Sequence, residues 1–327
     1  MKLHCIPILS ALFTSLVCFS NPATKISDNS PSSGIVIRWN DCEQTIDGFG
    51  IAQAGWAKEL FAFKNRKQVM DKMFGNDGLR LNILRGEIFP HYWENKEDKD
   101  FNLNDDINIE LCDSDFNNKS DDLLRRGQLW LTLEAKNKYH INKLVFSTWS
   151  APAWMKSNGK VSNGKLKPEC YQDFANYLAA FYKAYKSKGI TPYAISPSNE
   201  PGYAAPWNSS LWTADEMGKF ITSNLGPTFQ KENIPAKIIF GENPLWSVVM
   251  PQLKMVSSKD FTDTILQDYP EIKKFNLIAA GHGYSLSPDI MPIKVDKEYL
   301  KTPIIPFDAA EKAHIPVWIT EISDVTP

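Results

Sequence analysis

Residues 171–201 limit the possible folds of this chain more than any other stretch. Positions 171–188 place Phe174, Tyr177, Leu178, Phe181 and Tyr185 at helical spacing, so one face of a helix must be buried, and Gly189 is the residue type that ends such a helix. A few residues later Tyr193-Ala194-Ile195 has strand character, and a small-residue turn then delivers Asn199-Glu200-Pro201. A helix feeding directly into an apolar strand belongs to a parallel sheet, which needs such crossovers.

The alternation continues along the chain. Strands are expected at 46–50, 79–84, 143–146, 193–195, 237–243, 276–280 and 316–320, and helices at 56–74, 123–138 and 171–188. The fold class expected is α/β, a (β/α)8 barrel spanning 46–327, whose catalytic side chains would sit at the C-terminal ends of its strands. No eighth strand is legible before Pro327. The expectation is therefore a barrel incomplete at its C-terminus, aggregated or inactive when residues 21–327 are expressed alone. Residues 91–120, acidic and rich in Asn, read as a functional loop over the rim or equally as a solvated excursion.

Glu200 follows the fourth strand. Pro201 is expected to push it toward an extended backbone, aiming the carboxylate before any ligand arrives. On its own Asn-Glu-Pro is also an ordinary surface turn. The apolar run Ile315-Pro316-Val317-Trp318-Ile319-Thr320 shifts that balance, because it too leads into a glutamate, Glu321. Paired carboxylates are what cleavage of a glycosidic bond requires: one protonates the leaving oxygen while the other meets the oxocarbenium-like carbon.

Three segments carry a family resemblance. Phe146-Ser147-Thr148-Trp149-Ser150-Ala151-Pro152-Ala153-Trp154-Met155-Lys156-Ser157-Asn158-Gly159, Ser196-Pro197-Ser198-Asn199-Glu200-Pro201 and Trp318-Ile319-Thr320-Glu321 together resemble glycoside hydrolase family 30, over residues 45–323. The resemblance implies a retaining β-glycosidase with Glu200 as acid/base and Glu321 as nucleophile. It also implies Arg85 beside the nucleophile, Asn199 on the sugar hydroxyl next to the reacting carbon, His282 and Tyr284 against the nucleophile, and Trp149 lining the sugar site. Family members ordinarily carry a β-sandwich, to which a strand within 35–45 would belong. A different barrel glycosidase of the same clan, cellulase- or mannanase-like, and a carbohydrate-binding barrel without catalysis are the competing readings.

Composition narrows the partners. Lys plus Arg number 36 against 38 Asp plus Glu, a net charge of −2 with no basic block, which favours neither nucleic acid nor an anionic membrane. Ten tryptophans in 12% aromatic residues supply flat platforms for sugar faces, so the expected partner is a β-linked oligo- or polysaccharide or glycoside. None of the five histidines stands at a metal-ligand spacing. No cofactor or metal is expected. The N-terminus has the order of a secretory signal peptide over 1–20, with an apolar run too short to span a membrane, followed by a polar linker over 21–34. The expected location is secreted, periplasmic or at the cell surface. Cys42, Cys112 and Cys170 would then be left, too few for a disulfide scaffold.

Overall fold

The computed structural model describes residues 38, 40–41, 45–53, 57–93, 96, 121–247, 256–284 and 305–322. The expected signal peptide, linker, nearly all of the side-domain strand and most of the 91–120 loop lie outside the described residues. Residues 1–46 and 47–327 form separate compact units, and the second holds the barrel.

Seven parallel strands run in sequence order across one sheet: β1 (Gly50–Ala52), β2 (Ile83–Glu87), β3 (Lys143–Ser147), β4 (Ala194–Ser196), β5 (Lys237–Gly241), β6 (Leu277–His282) and β7 (Val317–Glu321). Helices fill the crossovers: α1 (Ala57–Ala62), α2 (Arg66–Phe74), α3 (Asp121–Tyr139), α4 (Tyr171–Ser187), α5 (Ala214–Phe220), α6 (Gly226–Lys231), α7 (Ser258–Asp268) and α8 (Asp308–Lys312). Among the described residues β1 and β7 each have one sheet neighbour and no eighth strand occurs. None of the described helices is long and apolar enough to cross a membrane.

Alternation along the strands splits the core into two layers. Val145, Ala194, Ile239, Ile278 and Ala280 pack together with Ile83, Tyr193 and Trp318 on the inner face. Their neighbours Leu144, Phe146, Ile195, Ile238, Phe240, Leu277 and Ala279 join the cluster that includes the helices. There Phe181 and Tyr185 of α4 lie 5.1 and 5.0 Å from the Phe146 ring. Each such fully buried side chain contributes about 1.5 to 3 kcal/mol. α4 ends where its sequence says it should: Gly189 takes φ +82°, and the Ile190 N–H turns back to the Tyr185 carbonyl at 3.0 Å.

The parity that fills the inner layer also orients chemistry. Two positions beyond Ile83, Val145, Ala194 and Ala280 on their strands stand Arg85, Ser147, Ser196 and His282, so polar side chains collect at the C-terminal end of the same inner face.

Several expected boundaries move. The second strand lies later than 79–84 because 79–82 turns out of α2, with the Leu79 N–H on the Lys72 carbonyl and the Leu81 N–H on the Met73 carbonyl, leaving Leu79 73% exposed. Arg85 is consequently inside β2, paired with Val145, with Gly86 and Glu87 completing the strand. The first strand is Gly50–Ala52 instead of 46–50, since Ile46 and Phe49 are exposed and pairing with β2 begins at Gly50. The single helix expected over 56–74 is broken at 63–65, where the Arg66 N–H bonds the Phe63 carbonyl.

Candidate active site

Each of the strands β2 to β7 sends polar groups to the C-terminal end of the inner face. Arg85 sits at the centre, 3% exposed. Its Nη1 donates to Glu321 Oε2 at 2.7 Å, and its Nη2 donates to Asn199 Oδ1 at 2.7 Å and to Glu242 Oε1 at 3.2 Å. The guanidinium carbon also lies 4.8 Å from the centre of the half-buried Trp149 ring, which fixes that indole beside the site. His282 is fully buried, with Nδ1 3.2 Å from Glu200 Oε1 and 4.0 Å from Glu321 Oε1. The Tyr284 hydroxyl donates to Glu321 Oε1 at 2.5 Å. All seven residues expected from the sequence, Arg85, Trp149, Asn199, Glu200, His282, Tyr284 and Glu321, thus fall in one cluster.

Backbone hydrogen bonds between strand ends hold the glutamates in place. The Asn199 N–H binds the Thr148 carbonyl, the Glu200 N–H binds the Glu242 carbonyl, and the Glu242 N–H binds the Ala280 carbonyl, at 2.7, 3.0 and 2.8 Å. Glu200 has φ +48°, in the left-handed region, which corrects the extended conformation expected ahead of Pro201. The neighbour's preference is overridden because the inter-strand bonds, and the Tyr203 N–H on the Glu200 carbonyl, specify the turn.

Glu321 reaches the site through an irregularity that the sequence pattern hides. Ala280 pairs with Trp318 and Gly281 with Ile319, but His282 pairs with Glu321, so Thr320 is an extra residue in β7. Strict alternation would turn Thr320 inward; the bulge turns Glu321 to the side of His282 instead.

Glu242, a further charged group of the cluster, was not among the residues expected from the sequence. It is fully buried, has φ +49°, and holds Arg85 through Oε1 and the Ser147 hydroxyl through Oε2 at 2.9 Å. His282 Nε2 stands 3.9 Å from Glu242 Oε1, a charge contact and not a hydrogen bond. The available signal was Gly241-Glu242-Asn243 at the end of the fifth strand, the same rim position as Asn199-Glu200.

The electrostatics follow from these contacts. Burial opposes ionisation of Glu321, yet the Arg85 guanidinium, His282 and the Tyr284 hydroxyl outweigh it and hold the carboxyl below its ordinary value. Glu242, despite complete burial, is driven well below the carboxylate range by Arg85 and His282. For His282 burial disfavours the imidazolium, but the bond to Glu200 and the Glu242 carboxylate prevail, so it gains protons more readily than usual. Atoms of Glu200, His282 and Glu321 lie within 4.8 Å of one another, close enough to suggest a cation site. However, both Glu321 oxygens already accept from Arg85 and Tyr284, so the set is organised by hydrogen donors.

The remaining aromatics of these loops divide between surface and core. Trp154 donates Nε1–H to the Trp93 carbonyl at 3.0 Å and packs edge-on to that ring, and Trp212 is buried between Tyr171 and Phe220. Trp207 is 55% exposed.

A parallel α/β barrel with a carboxylate pair on its C-terminal rim is the class that this fold and site define. The chain belongs to glycosyl hydrolase family 30: the family's TIM-barrel domain matches residues 46–274. "Putative glucosylceramidase 3" of Caenorhabditis elegans is 30% identical over 251 residues, covering 74% of this chain and 45% of that protein. The endo-1,6-beta-D-glucanase of Neurospora crassa is 28% identical over 237 residues, covering 67% and 45%. A solved endo-beta1,6-glucanase superposes with a TM-score of 0.63 at 22% identity, over 88% of this chain and 59% of its own. The chain thus spans less than half the length of these two sequence relatives.

Proposed function

We propose that this protein is a retaining β-glycoside hydrolase, with Glu321 as nucleophile and Glu200 as acid and then base. The observation that carries the reading is the proximity of the two carboxylates, whose oxygens approach within 4.8 Å. Retaining enzymes keep the groups about 5 to 5.5 Å apart, whereas inverting ones leave roughly 6.5 to 9.5 Å for a water. Unequal environments support the assignment of roles. Glu321 accepts from Arg85 and Tyr284, which suits a group that must stay ionised, while Glu200 has neither donor and faces His282. In the first step Glu321 bonds to the anomeric carbon as the glycosidic C–O bond breaks, and the Glu200 proton goes to the leaving oxygen. Water then bonds to that carbon, passes its proton to Glu200 and returns the ester electron pair to Glu321.

Asn199, oriented by Arg85, is the group for the hydroxyl beside the reacting carbon, and Trp149 is the apolar wall for the sugar ring. The substrate class is a β-linked oligo- or polysaccharide or glycoside. The names of relatives, glucosylceramidase, endo-1,6-beta-D-glucanase and glucuronoxylanase, mark out the range to assay. Secretion or retention at the cell surface, as the N-terminal sequence suggests, fits action on such glycans.

Variants at the two glutamates test the mechanism. Glu321→Ala is expected to abolish covalent labelling and turnover on every substrate. Glu200→Ala is expected to lose about a hundred- to ten-thousand-fold on glycosides with poor leaving groups, while keeping the first step on activated aryl β-glycosides. Azide should then rescue it with the β-configuration retained. Equal losses on both substrate types in both variants, or an α-configured azide product, would overturn the assignment.

A further inference from the structure

Glu242 has no role in the two displacement steps, yet it touches the partners of both catalytic carboxylates. It is 0% exposed, and Arg85 and His282, the groups it contacts, are the same ones that meet Glu321 and Glu200. The charged and titratable groups around it come from four strands: Arg85 of β2, Glu200 after β4, His282 of β6 with Tyr284 beyond it, and Glu321 of β7. Ser147 of β3 holds its second oxygen. A carboxylate in that position is shielded from solvent and surrounded by the site's own cations.

We propose that Glu242 is a positioning residue that acts as the fixed counter-ion of the site, neutralising the permanent charge of Arg85 and keeping His282 protonated throughout the reaction. The proposal rests on the double-displacement reading above. Before the first step Arg85 and His282 are positive, Glu242 and Glu321 are negative and Glu200 carries its proton, so the buried cluster is neutral. When Glu321 has become an ester and Glu200 has given its proton to the leaving oxygen, one negative charge has disappeared and another has formed. The cluster is neutral again. Only because Glu242 balances one of the cations is this true of both states, and in a low-dielectric site an unbalanced charge is strongly disfavoured. His282 is placed to serve the exchange: its Nδ1 is 3.2 Å from Glu200 and 4.0 Å from Glu321, so one imidazolium meets whichever carboxylate is ionised. Glu242, on the opposite ring nitrogen, keeps that proton on the imidazole.

Removing the negative charge while keeping the shape makes the cluster release its shared proton at lower pH, because a neighbouring anion within about 4 to 6 Å is worth about 1 to 3 units. In Glu242→Gln the basic limb of the kcat/KM profile should move to lower pH by about 1 to 3 units. Glu242→Asp should restore its position even where the rate stays low. A Glu242→Gln enzyme slowed equally at every pH, with both limbs in place, would assign Glu242 a purely structural role and overturn the proposal. A second measurement needs neither a variant nor turnover. NMR titration of the His282 ring in the wild-type protein should show it protonated across about pH 5 to 8. A His282 ring neutral at pH 7 would overturn the proposal even if the hydrolase reading holds, and a protonated ring would support it even in a protein that hydrolyses nothing.

Discussion

At the scale of single residues, the site depends on backbone conformations that side-chain-bearing residues seldom adopt. Glu200 and Glu242 have φ of +48° and +49°, and Gly241 beside the latter has φ +105°. Such conformations cost on the order of 1 to 3 kcal/mol each and persist because the bonds between strand ends impose them. At Gly241 there is also no space for a side chain, since a Cβ would stand 2.2 Å from the Ala280 carbonyl oxygen, which itself accepts the Glu242 N–H. Gly241→Ala is therefore expected to lose about 2 to 4 kcal/mol in urea denaturation and to reduce activity further by displacing Glu242. A variant as stable and active as the wild type would show that the β5–β6 junction relaxes freely. The residues legible in the sequence were those whose neighbours announced them: Glu200 within Ser-Asn-Glu-Pro, Trp149 within its aromatic motif, Glu321 at the end of an apolar run. Glu242 was not legible, because its partners Arg85 and His282 are brought to it only by the barrel.

At the scale of elements, a buried lysine helps the backbone bonds from Ser209 to Val161 and from Leu211 to Gly164 fasten the segment after β3 to the segment after β4. Lys156 is 1% exposed, and its ammonium donates to the Ser150 hydroxyl, the Asn163 carbonyl and the Ser209 carbonyl at 3.1, 2.6 and 2.7 Å. The acceptors are all uncharged, so burial pushes its titration down to about 8. An unfolded lysine titrates near about 10.4. Between those values the unfolded chain binds the additional proton, so stability contributed at this site rises with pH across the window from roughly 8 to 10. Wild type minus Lys156→Met, compared by urea midpoints at about pH 7.5 and about pH 9.5, should show that rise. A difference that is flat or falls with pH would contradict it. Sequence patterns located the seven strands and the helices before β4, with several ends misplaced, but did not name α5 to α8. The break at 63–65 and the shift of β2 follow from turn bonds to carbonyls of the preceding elements. The β7 bulge depends on pairing with β6, which no pattern within 315–323 contains.

At the scale of the whole molecule, Glu321, the proposed nucleophile, is carried by one of the less buried strands of the barrel. β6 and β4 are buried at every position, and β5 at all but its first. In β7 no residue is fully buried, Ile319 is 48% exposed, and among the described residues the strand pairs with β6 alone. Only Trp318 of β7 packs against the inner cluster, stacked on Tyr193 at 6.0 Å, and Val317 packs against the outer one. Each apolar side chain left half in water forfeits a good part of the roughly 1.5 to 3 kcal/mol that full burial would supply. Local opening follows such differences, with amides in well-packed strands protected close to the global stability and those in sparsely packed ones exchanging through smaller fluctuations. Native-state hydrogen exchange should therefore find the amides of Trp318 and Ile319 less protected than those of Ile238, Phe240, Ile278 and Ala279. The contacts that Glu321 makes to Arg85 and Tyr284 then have a second consequence, because they fasten the end of β7 to β2 and to the segment after β6. Glu321→Ala should widen the gap in protection, lowering it in β7 while leaving β4 and β5 unchanged. Uniform protection across β4 to β7 in the wild type, or an equal fall in every strand on substitution, would show that the sheet opens as one unit.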